Sequence, residues 1–440
     1  MKIGIIGGTR GLGKTLATLL KREGYDITIT GRDQVIGESV SEELEVKYSN
    51  DNKKTASSSD IVIISVPIAT TTKVIKEIAK SMQPGSLLLD VTSVKTSPSK
   101  LMNELLDKDV EFIPTHPVFG PRTNNLSGQV VVLTPIQENQ KEEGKWYPKV
   151  VKFLKDHKVR VIESSPEEHD NMMAVVQVLT HFSYISTASA IKKLGINIKD
   201  TRKFASPIYN LMVDMISRIV SQNPYLTYSI QLENENGERV RQAFADSVEE
   251  LKEVLTNHDE DKFVSIAIEA TKNMDNIQCA LGRSDKAIDS QNHEISFLKH
   301  SIGKEIAIQH MHSGEVHIGT LKDINPDFAT LTTGKNEKKL NIANIRILED
   351  EDLFNWKLDN RSIKVRSISC IFPKSSDENI IKDTLKRSIS DIISVEVTDI
   401  YTGPQIADDS RSITFEIKSF DKSTFKTIIH VLKGFGGIIR

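Results

Sequence analysis

The first 165 residues alternate short apolar runs with helix-length segments, and this alternation restricts the fold more than any other feature. The apolar runs are rich in β-branched residues and mostly lack polar alternation, which is typical of strands buried on both faces of a sheet. They are KIGIIGG, DITIT, IVIISVP, LLLDVTS, EFIPT, VVVLTP and VRVIES. Helix-length segments such as KTLATLLKREG separate most of them. The pattern predicts a doubly wound, mainly parallel α/β sheet.

A glycine-rich loop follows the first strand and opens a helix that we expect to begin near Lys14. Backbone N–H groups at such a helix start can cradle a pyrophosphate. The loop departs from the strict G-x-G-x-x-G motif because Arg10 stands where a glycine is needed, and a simple tight turn is the alternative interpretation. The residues predicted to bind a nucleotide cofactor are Gly7, Gly8, Thr9, Arg10, Gly11, Leu12, Gly13, Arg32, Val66 and Pro67.

The end of the second strand bears on the choice of cofactor. The segment TITGRD has no acidic residue at the strand end to bond a ribose 2′-hydroxyl, and Arg32 follows the glycine instead. An arginine there, with Thr9 and Arg10 nearby, suits a 2′-phosphate. We therefore expect NADP in preference to NAD.

The segment PTHPVFGP holds one imidazole, that of His116, between two prolines at the end of the apolar run VEFI. Each proline fixes its own φ and restricts the residue before it, so this backbone has few conformations. Ligands of open α/β sheets bind at the carboxyl ends of the strands, which is where His116 falls. We predict that His116 is catalytic; a histidine that bonds a backbone carbonyl at the strand end is the alternative.

The hydrophobic period changes at about residue 166. The segment EEHDNMMAVVQVLTHFSYISTASAIKKLG has apolar residues at helical spacing and follows the cap-like SSPEE. Further helical stretches are expected at about 204–222, 238–257 and 260–280. Their apolar stripes lie on several faces, and such helices commonly bury the extra stripe against a second copy. The sequence therefore predicts an all-helical second domain and a homodimer.

Four motifs, taken in this order, resemble the prephenate dehydrogenase family of tyrosine biosynthesis over residues 1 to about 285. They are the glycine loop, DVTSVK, PTHPVFGP, and the pair EEHDNMMAVVQVLTHF and SRIVSQNP. The resemblance implies a Rossmann domain over 1–165 and a helical substrate and dimerisation domain over 166–285. It also implies NAD(P)-dependent oxidative decarboxylation of prephenate to 4-hydroxyphenylpyruvate, with arogenate as the alternative substrate. His116 would accept the proton of the substrate hydroxyl.

The same resemblance implies further site residues. Ser93 matches a serine that bonds the catalytic imidazole or the substrate hydroxyl, with a helix cap as the alternative role. Arg218 matches an arginine that clamps a carboxylate, with a solvated surface arginine as the alternative. The substrate-binding residues implied in all are Arg218, His181, Gln177 and His169. We expect Lys95 to be a salt-bridged surface lysine.

The last third of the chain lies beyond that resemblance. Residues 299–350 alternate apolar and polar positions in about five short strands, which predicts a small Sm-like β-barrel. Residues 363–440 follow the order β-α-β-β-α-β of a ferredoxin-like α+β domain, and they resemble both ACT domains and an anticodon-binding domain. Because function does not follow from this topology, two roles stay open. One is a regulatory module with an amino-acid effector, tyrosine or phenylalanine; the other is a structural or dimerising extension.

Composition excludes several partners. The net charge is −3, from 57 basic and 60 acidic side chains, which gives no attraction to nucleic acid or anionic lipid. Cys279 and Cys370 stand far apart, so we predict no disulfide framework and no metal site. No apolar run is expected to approach membrane-spanning length. A cytoplasmic protein without a membrane or nucleic-acid partner is the expectation.

Two other functional classes stay open at this point. Another Rossmann nicotinamide oxidoreductase could share the glycine loop, although it would not need both THPVFGP and SRIVSQNP. A non-catalytic, ligand-sensing protein on a degenerate nucleotide fold is the second class, and Arg10 within the glycine loop favours it.

Overall fold

The computed structural model of the protein describes most of the 440 residues. The described residues are 1–123, 125–135, 144–274, 276–311, 313–325, 327–334, 336–348, 350–389 and 391–440. They form two compact units, Met1–Ile288 and Asp289–Arg440.

The first unit contains an eight-stranded sheet. Its strands are β1 (Lys2–Ile6), β2 (Asp26–Thr30), β3 (Lys47–Ser49), β4 (Ile61–Ile64), β5 (Leu87–Asp90), β6 (Glu111–Pro117), β7 (Val130–Leu133) and β8 (Arg160–Glu163). Their order in the sheet is β3-β2-β1-β4-β5-β6-β7-β8. The pairs from β3 to β6 are parallel, β6 and β7 are antiparallel, and β7 and β8 are parallel again. This is the doubly wound order of a Rossmann fold with two added strands, so the predicted fold class of this region is confirmed.

Helices connect the strands and cover both faces of the sheet. They are α1 (Gly11–Arg22), α2 (Gln34–Leu44), α3 (Asn52–Ser57), α4 (Ile68–Ile78), α5 (Thr96–Leu105) and α6 (Tyr147–Asp156), with a 3₁₀ turn at Ala79–Ser81. One apolar core contains Ile5, Ile29 and Trp146, and a second contains Ile64 and Leu88. Two cores, one on each face, explain why the strands lack polar alternation.

Two local expectations differ from the structure. The sequence pattern does not predict the short strand β3. Its residues, Lys47, Tyr48 and Ser49, form neither an apolar run nor a clear alternation of apolar and polar residues. Helix α1 begins at Gly11 rather than near Lys14. Three glycines around a helix start obscure the boundary, since glycine has little intrinsic preference for the helix.

Residues beyond β8 in the first unit are helical, and the last of these helices continues into the second unit. The helices are α7 (Pro166–Met173), α8 (Thr180–Lys193), α9 (Ile198–Thr201), α10 (Pro207–Val220), α11 (Pro224–Glu233), α12 (Gly237–Thr256), α13 (Glu260–Lys272) and α14 (Ile277–His300). A π-helical segment, Ala174–Leu179, joins α7 to α8, and a 3₁₀ turn spans Arg202–Phe204. The hydroxyl of Ser165 accepts a hydrogen bond from the backbone N–H of Glu168 at 3.1 Å. The segment SSPEE is therefore a helix cap, as its composition predicted.

The continuous helical stretch Pro166–Lys193 is 28 residues long and, by length and composition alone, apolar enough to cross a membrane. The expectation that no apolar run approaches this length is wrong for this stretch. Its first turns carry buried polar side chains, those of His169 and Asp170. Several apolar side chains farther along are exposed, namely Met172, Val175, Val176 and Ile185.

The second unit begins with a five-stranded antiparallel sheet. The strands are β9 (Glu305–His310), β10 (Val316–Ile324), β11 (Phe328–Thr333), β12 (Asn336–Asn341) and β13 (Ile345–Ile347), and a 3₁₀ turn at Ile342–Asn344 precedes the last. Their order is β12-β11-β10-β9-β13. The side chain of Leu298, near the end of α14, is fully buried in the core of this sheet with Ile308 and Leu321.

A four-stranded antiparallel sheet completes the second unit. Its elements are α15 (Asp350–Asn360), β14 (Lys364–Pro373), α16 (Glu378–Ser388), β15 (Ile392–Tyr401), β16 (Ser410–Ser419), α17 (Thr424–Gly434) and β17 (Ile438–Ile439). The strand order is β15-β16-β14-β17. Helices α16 and α17 bury Leu385 and Ile428 against Phe372 and Phe415 of the sheet. Alternate residues of β14 and β16, including Ser369 and Thr414, lie outside this core.

Candidate active site

The glycine loop between β1 and α1 is closely packed. Gly7 has φ +85°, and a Cβ atom there would lie 2.2 Å from the carbonyl oxygen of Ser65. A Cβ atom on Gly13 would lie 2.3 Å from the carbonyl oxygen of Gly7. Because α1 begins at Gly11, the N–H groups of its first turn have no acceptor within the helix. The loop therefore presents donors and partial positive charge at the carboxyl edge of the sheet, as a pyrophosphate requires.

The residues expected to contact the rest of a nucleotide lie around this loop. Arg32 is exposed directly after β2, and Thr9 is buried in the loop. The guanidinium of Arg10 lies 3.4 Å from Oδ2 of Asp33, while Oδ1 of Asp33 accepts the backbone N–H of Ile36 at 3.2 Å. Both oxygens of this carboxylate are thus already bonded. The other predicted contacts, in the loop or at the start of α4, are Gly8, Leu12, Val66 and Pro67.

A buried ion pair closes the carboxyl end of β5. The side chains of Lys95 and Asp90 are fully buried, and Nζ of Lys95 donates to Oδ2 of Asp90. The same ammonium donates to the carbonyl oxygen of Thr115 at 2.7 Å, which fixes the backbone beside His116. Burial lowers the pKa of Lys95, and the charges of Asp90 and Asp170 partly offset this effect. The expectation of a surface lysine is therefore wrong.

Two histidines and a carboxylate form a chain of hydrogen bonds beside this pair. His116 lies in β6 and is only 2% exposed. Its Nδ1 lies 2.8 Å from Nε2 of His169, and Nδ1 of His169 lies 2.8 Å from Oδ1 of Asp170. On the opposite side, Nε2 of His116 lies 3.4 Å from the amide nitrogen of Gln177. The chain joins strand β6 to the helical stretch that begins with α7.

Asp170 also bonds the start of helix α5. Its Oδ1 accepts the backbone N–H of Lys95 at 2.8 Å, and its Oδ2 accepts the N–H and the hydroxyl of Thr96 at 2.9 and 2.6 Å. The side chain of Asn234 donates to the carbonyl oxygen of Asp170 at 2.8 Å. Burial alone would raise the pKa of Asp170, but hydrogen bonds from His169, Thr96 and Lys95 together lower it. Asp170 is therefore an ionised carboxylate at neutral pH.

The surroundings of His116 keep its ring neutral. Burial lowers the pKa of His116 well below its usual value, and the neighbouring His169 and Lys95 lower it further. A neutral imidazole at the carboxyl edge of an open α/β sheet can accept a proton from a bound substrate. The arrangement therefore fits a general base.

The helical stretch Pro166–Lys193 carries buried polar atoms without a hydrogen-bond partner among the described residues. Among the described residues, Oε1 of Gln177 and Nδ1 of His181 are buried and have no hydrogen-bond partner. The two residues are four positions apart, so they lie on similar sides of the helix. Burial also lowers the pKa of His181. A buried polar atom without a partner is costly, and a polar ligand can satisfy it.

Comparison with known proteins identifies the family. Residues 16–163 match the nucleotide-binding domain of prephenate dehydrogenase, and residues 165–268 match the prephenate dehydrogenase dimerization domain. A protein of Methanocaldococcus jannaschii, described as a probable arogenate/prephenate dehydrogenase, is 40% identical over 99% of this chain and 98% of its own length. The chain belongs to the prephenate dehydrogenase family.

Other relatives match part of the chain. The T-protein of Haemophilus influenzae is 28% identical over 60% of this chain, and the chain covers 64% of that protein, which is less than two thirds. Among solved structures, prephenate dehydrogenase from A. aeolicus in complex with hydroxyphenyl propionate and NAD⁺ is 23% identical. It covers 62% of this chain and 96% of its own, with a TM-score of 0.49.

Ser93, which the resemblance to the prephenate dehydrogenase family implied, is half-buried in the loop after β5. Within the described part of the chain, the hydrogen-bond partners of the His116 ring are His169 and Gln177, so Ser93 does not bond the imidazole. Helix α5 begins at Thr96, three residues later, so Ser93 does not cap it either.

Arg218 and His169 differ in their surroundings. Arg218 is exposed in the last turn of α10, and no hydrogen bond joins it to His116 in the described residues. Both ring nitrogens of His169 are bonded to protein groups, and the ring is 2% exposed. His169 therefore lies behind His116 rather than in a position to bond a substrate.

Sequence reasoning missed Asp170 and misplaced Lys95. The segment HD directly after a helix cap was the available signal for Asp170, since an acid beside a histidine can orient the ring. For Lys95 the signal was DVTSVK, in which an acid ends a buried strand five residues before the lysine. Both contacts depend on tertiary packing, which the sequence pattern alone does not give.

We expect the Lys95→Met substitution to reduce the free energy of unfolding of the first unit by about 3–5 kcal/mol, because it leaves the Asp90 charge buried without a partner. The double variant Asp90→Asn/Lys95→Met should regain most of this loss. Urea unfolding, followed by Trp146 fluorescence in a Trp356→Phe background, measures the change. Lys100→Met, an exposed lysine of α5, is the control and should have little effect. Equal stability of Lys95→Met and this control would contradict the prediction.

Proposed function

We propose that the protein catalyses NAD(P)-dependent oxidative decarboxylation of prephenate to 4-hydroxyphenylpyruvate, a step of tyrosine biosynthesis. The observation that carries the proposal is the buried, neutral imidazole of His116 at the carboxyl edge of a nucleotide-binding sheet. Membership of the prephenate dehydrogenase family supports the substrate class.

The chemistry needs a base that is in place before the substrate arrives. His116 takes the proton of the ring hydroxyl while the carbon that bears this hydroxyl loses hydride, which leaves a ring ketone. The bond to the ring carboxylate then breaks and CO₂ departs. Its electron pair makes the ring aromatic, and the phenolate oxygen recovers a proton. Placing His116 rigidly between two prolines reduces the reorganisation that the transition state requires.

The glycine loop fits a nicotinamide dinucleotide. A bound nicotinamide supplies the hydride acceptor for this reaction. The N–H groups of Gly11, Leu12 and Gly13 would hold the pyrophosphate, and the close approach of Gly7 to Gly13 leaves room only for backbone there. Val66 and Pro67, after β4, would line the same edge of the sheet.

We expect His116→Asn to lower kcat by about 10²- to 10⁴-fold while KM changes only a few-fold, because the base is lost and the substrate contacts stay. In the unsubstituted protein, kcat/KM should stay level from neutral pH to pH 6.5 and fall only at lower pH, where His116 becomes protonated. Initial rates with prephenate measure both. His258→Asn is the control, since His258 has φ +57° and asparagine accepts that conformation. An unchanged kcat in His116→Asn would refute the assignment.

The substrate carries two carboxylates, and we propose that Arg218 binds one of them. A guanidinium suits bidentate binding of a carboxylate. Helix α10, which carries Arg218, packs against α8, and α8 carries His181. Ser93, Gln177 and His181 would supply neutral contacts to the same substrate.

We expect Arg218→Ala to raise the KM for prephenate at least tenfold while kcat changes little, because the interaction is made equally in the ground state and the transition state. Steady-state kinetics at fixed saturating cofactor measure the two constants. Arg283→Ala, an exposed arginine of the same unit, should leave both constants unchanged. An unaltered KM in Arg218→Ala would place the carboxylate contact elsewhere.

We propose that NADP is preferred over NAD. Arg32 is exposed after β2 and free to meet a 2′-phosphate, and the nearest acid, Asp33, already caps α2 and pairs with Arg10. An acid at this position is what a ribose 2′-hydroxyl needs.

Arg32→Asp should shift the ratio of kcat/KM for NADP over NAD toward NAD by at least tenfold, because it replaces a 2′-phosphate partner with a hydroxyl acceptor. Rates with each cofactor at saturating prephenate give this ratio. Arg22→Asp, an exposed arginine of α1, is the matched control. The same ratio in both variants would contradict the proposed 2′-phosphate contact.

Arogenate carries an amino group where prephenate has the side-chain keto group, and the chemistry assigned to His116 applies to both. The name of the M. jannaschii relative includes both arogenate and prephenate. We propose prephenate as the substrate, and initial rates with each compound compare the two directly.

We also propose a homodimer. Helices α10 and α11 expose large apolar side chains, among them Ile208, Met212, Met215, Tyr225 and Tyr228. Exposed apolar area of this extent is typical of an interaction surface. The match of residues 165–268 to a dimerization domain supports a second copy as its occupant.

For the second unit we propose an Sm-like barrel over 299–350 and a ferredoxin-like domain over 363–440. The strand order β12-β11-β10-β9-β13 after a helix supports the first. The order of elements β14-α16-β15-β16-α17-β17 supports the second. Tyrosine or phenylalanine is the proposed effector of the ferredoxin-like domain.

A cavity of about 530 Å³ beside this sheet is the proposed effector site. It is lined by Arg440 and Asp399, which could meet the carboxylate and the ammonium of an amino acid, and by the ring of Tyr401. The guanidinium of Arg440 lies 5.9 Å from that ring centre. Arg440→Ala in the full chain should remove inhibition by tyrosine or phenylalanine in the rate assay, while Lys433→Ala should keep it. Inhibition retained in Arg440→Ala would overturn the site.

A further inference from the structure

We propose that Asp170, acting through His169, sets the tautomer of His116 and leaves its Nε2 as the proton acceptor. The inference rests on the proposed function for its chemical meaning, but the tautomers themselves are properties of the protein alone. Asp170 and His169 are then positioning residues, since neither contacts the reacting atoms.

Asp170 accepts hydrogen bonds only. Its two oxygens already receive the backbone N–H groups of Lys95 and Thr96 and the hydroxyl of Thr96, at 2.6–2.9 Å. These donors lie at the N-terminus of α5, where the helix dipole favours negative charge. An ionised carboxylate has no proton to give, so the 2.8 Å contact with Nδ1 of His169 requires that His169 carry its proton there.

His169 passes this constraint to His116. With a single proton, placed on Nδ1, His169 has only a lone pair on Nε2. The nitrogen 2.8 Å from that lone pair is Nδ1 of His116, which must therefore be the donor. A neutral His116 then has a bare Nε2, directed away from His169.

The group on the far side of His116 agrees with this assignment. The amide nitrogen of Gln177, a donor, lies 3.4 Å from Nε2 of His116, whereas Oε1 of Gln177 has no partner among the described residues. A donor facing Nε2 is compatible with a lone pair and not with a proton. The orientation of the Gln177 amide thus agrees with the tautomer that Asp170 specifies.

The consequence is catalytic. With its proton on Nε2, His116 could not accept one from a substrate hydroxyl on that side. With its proton held on Nδ1, it needs no change of tautomer to accept one on Nε2. As Nε2 becomes protonated, the positive charge on the ring lies two hydrogen bonds from the carboxylate of Asp170, which stabilises it. The logic is that of a histidine oriented by a buried acid, with a second histidine inserted between them.

The direct test is long-range ¹H–¹⁵N NMR on the full chain labelled with ¹⁵N-histidine. The pattern of two-bond couplings distinguishes the two neutral tautomers and the imidazolium. Spectra of His116→Asn and His169→Asn assign the signals by their loss. We expect each ring to carry a proton on Nδ1 and none on Nε2 near pH 7.5. A proton on Nε2 of His116, or an imidazolium at either ring, would overturn the proposal whether or not the protein turns over prephenate.

The second test removes the charge of Asp170. We expect Asp170→Asn to lower kcat for prephenate by about 10²- to 10⁴-fold, with KM within a few-fold, and to introduce the Nε2-protonated form of His116 in the spectrum. Unchanged cofactor affinity, from NADPH fluorescence titration, confirms that the nucleotide domain is intact. Asp200→Asn, an exposed acid of the same unit, should leave kcat and the spectrum unaltered.

The outcomes separate this inference from the proposed function. Protons on Nδ1 of both rings in a protein that does not act on prephenate would uphold the tautomers and refute the substrate. Activity with prephenate in a protein whose His116 is protonated on Nε2 would refute the relay and leave the substrate. An Asp170→Asn variant with the kcat and spectrum of the unsubstituted chain would also refute the relay.

Discussion

The site depends on the hydrogen bonds between the carboxylate of Asp170 and the first residues of helix α5. Asp170 belongs to the helical stretch after the sheet, and Lys95 and Thr96 belong to the sheet domain, 74–75 residues earlier in the chain. Hydrogen bonds to an ionised acid at a helix N-terminus combine charge assistance with a favourable dipole. They hold His169 against His116, so a side chain from a helix and one from a strand meet in a fixed geometry.

The second constraint is the burial of charge around His116. The Lys95 ammonium and the Asp90 carboxylate are fully buried and bonded to each other, and the ammonium also holds the carbonyl of Thr115. A buried ion pair contributes little net stability, because desolvation offsets most of the attraction. The pair does fix the backbone next to His116. The positive charge of Lys95 also disfavours protonation of the His116 ring. An imidazole that stays neutral near pH 7 follows from that placement.

Sequence patterns were sufficient for the sheet, and for placing the glycine loop and His116 at strand ends, because each placement depends on residues near one another in the chain. A buried strand has a recognisable composition, and two prolines around a histidine are visible without a structure. The roles of His169 and Lys95 depend instead on partners far away in the sequence. A lysine is almost never fully buried, so the surface assignment for Lys95 followed the general rule, which the contact with Asp90 overrides. Strand β3 was missed because three residues that pair at a sheet edge need no apolar pattern.

The two sides of the candidate site differ in how many of their polar atoms have a protein partner. On the side of the base, every ring nitrogen from Asp170 to His116 faces a protein group, so the geometry is set before any ligand binds. On the proposed substrate side, atoms of Gln177 and His181 lack partners among the described residues, and Arg218 is exposed. Preorganised groups accelerate a reaction most where charge develops, whereas recognition groups can be completed by the ligand itself. Among the described residues, the rigid contacts thus lie around the proposed base, and the unsatisfied polar atoms lie on the proposed substrate side.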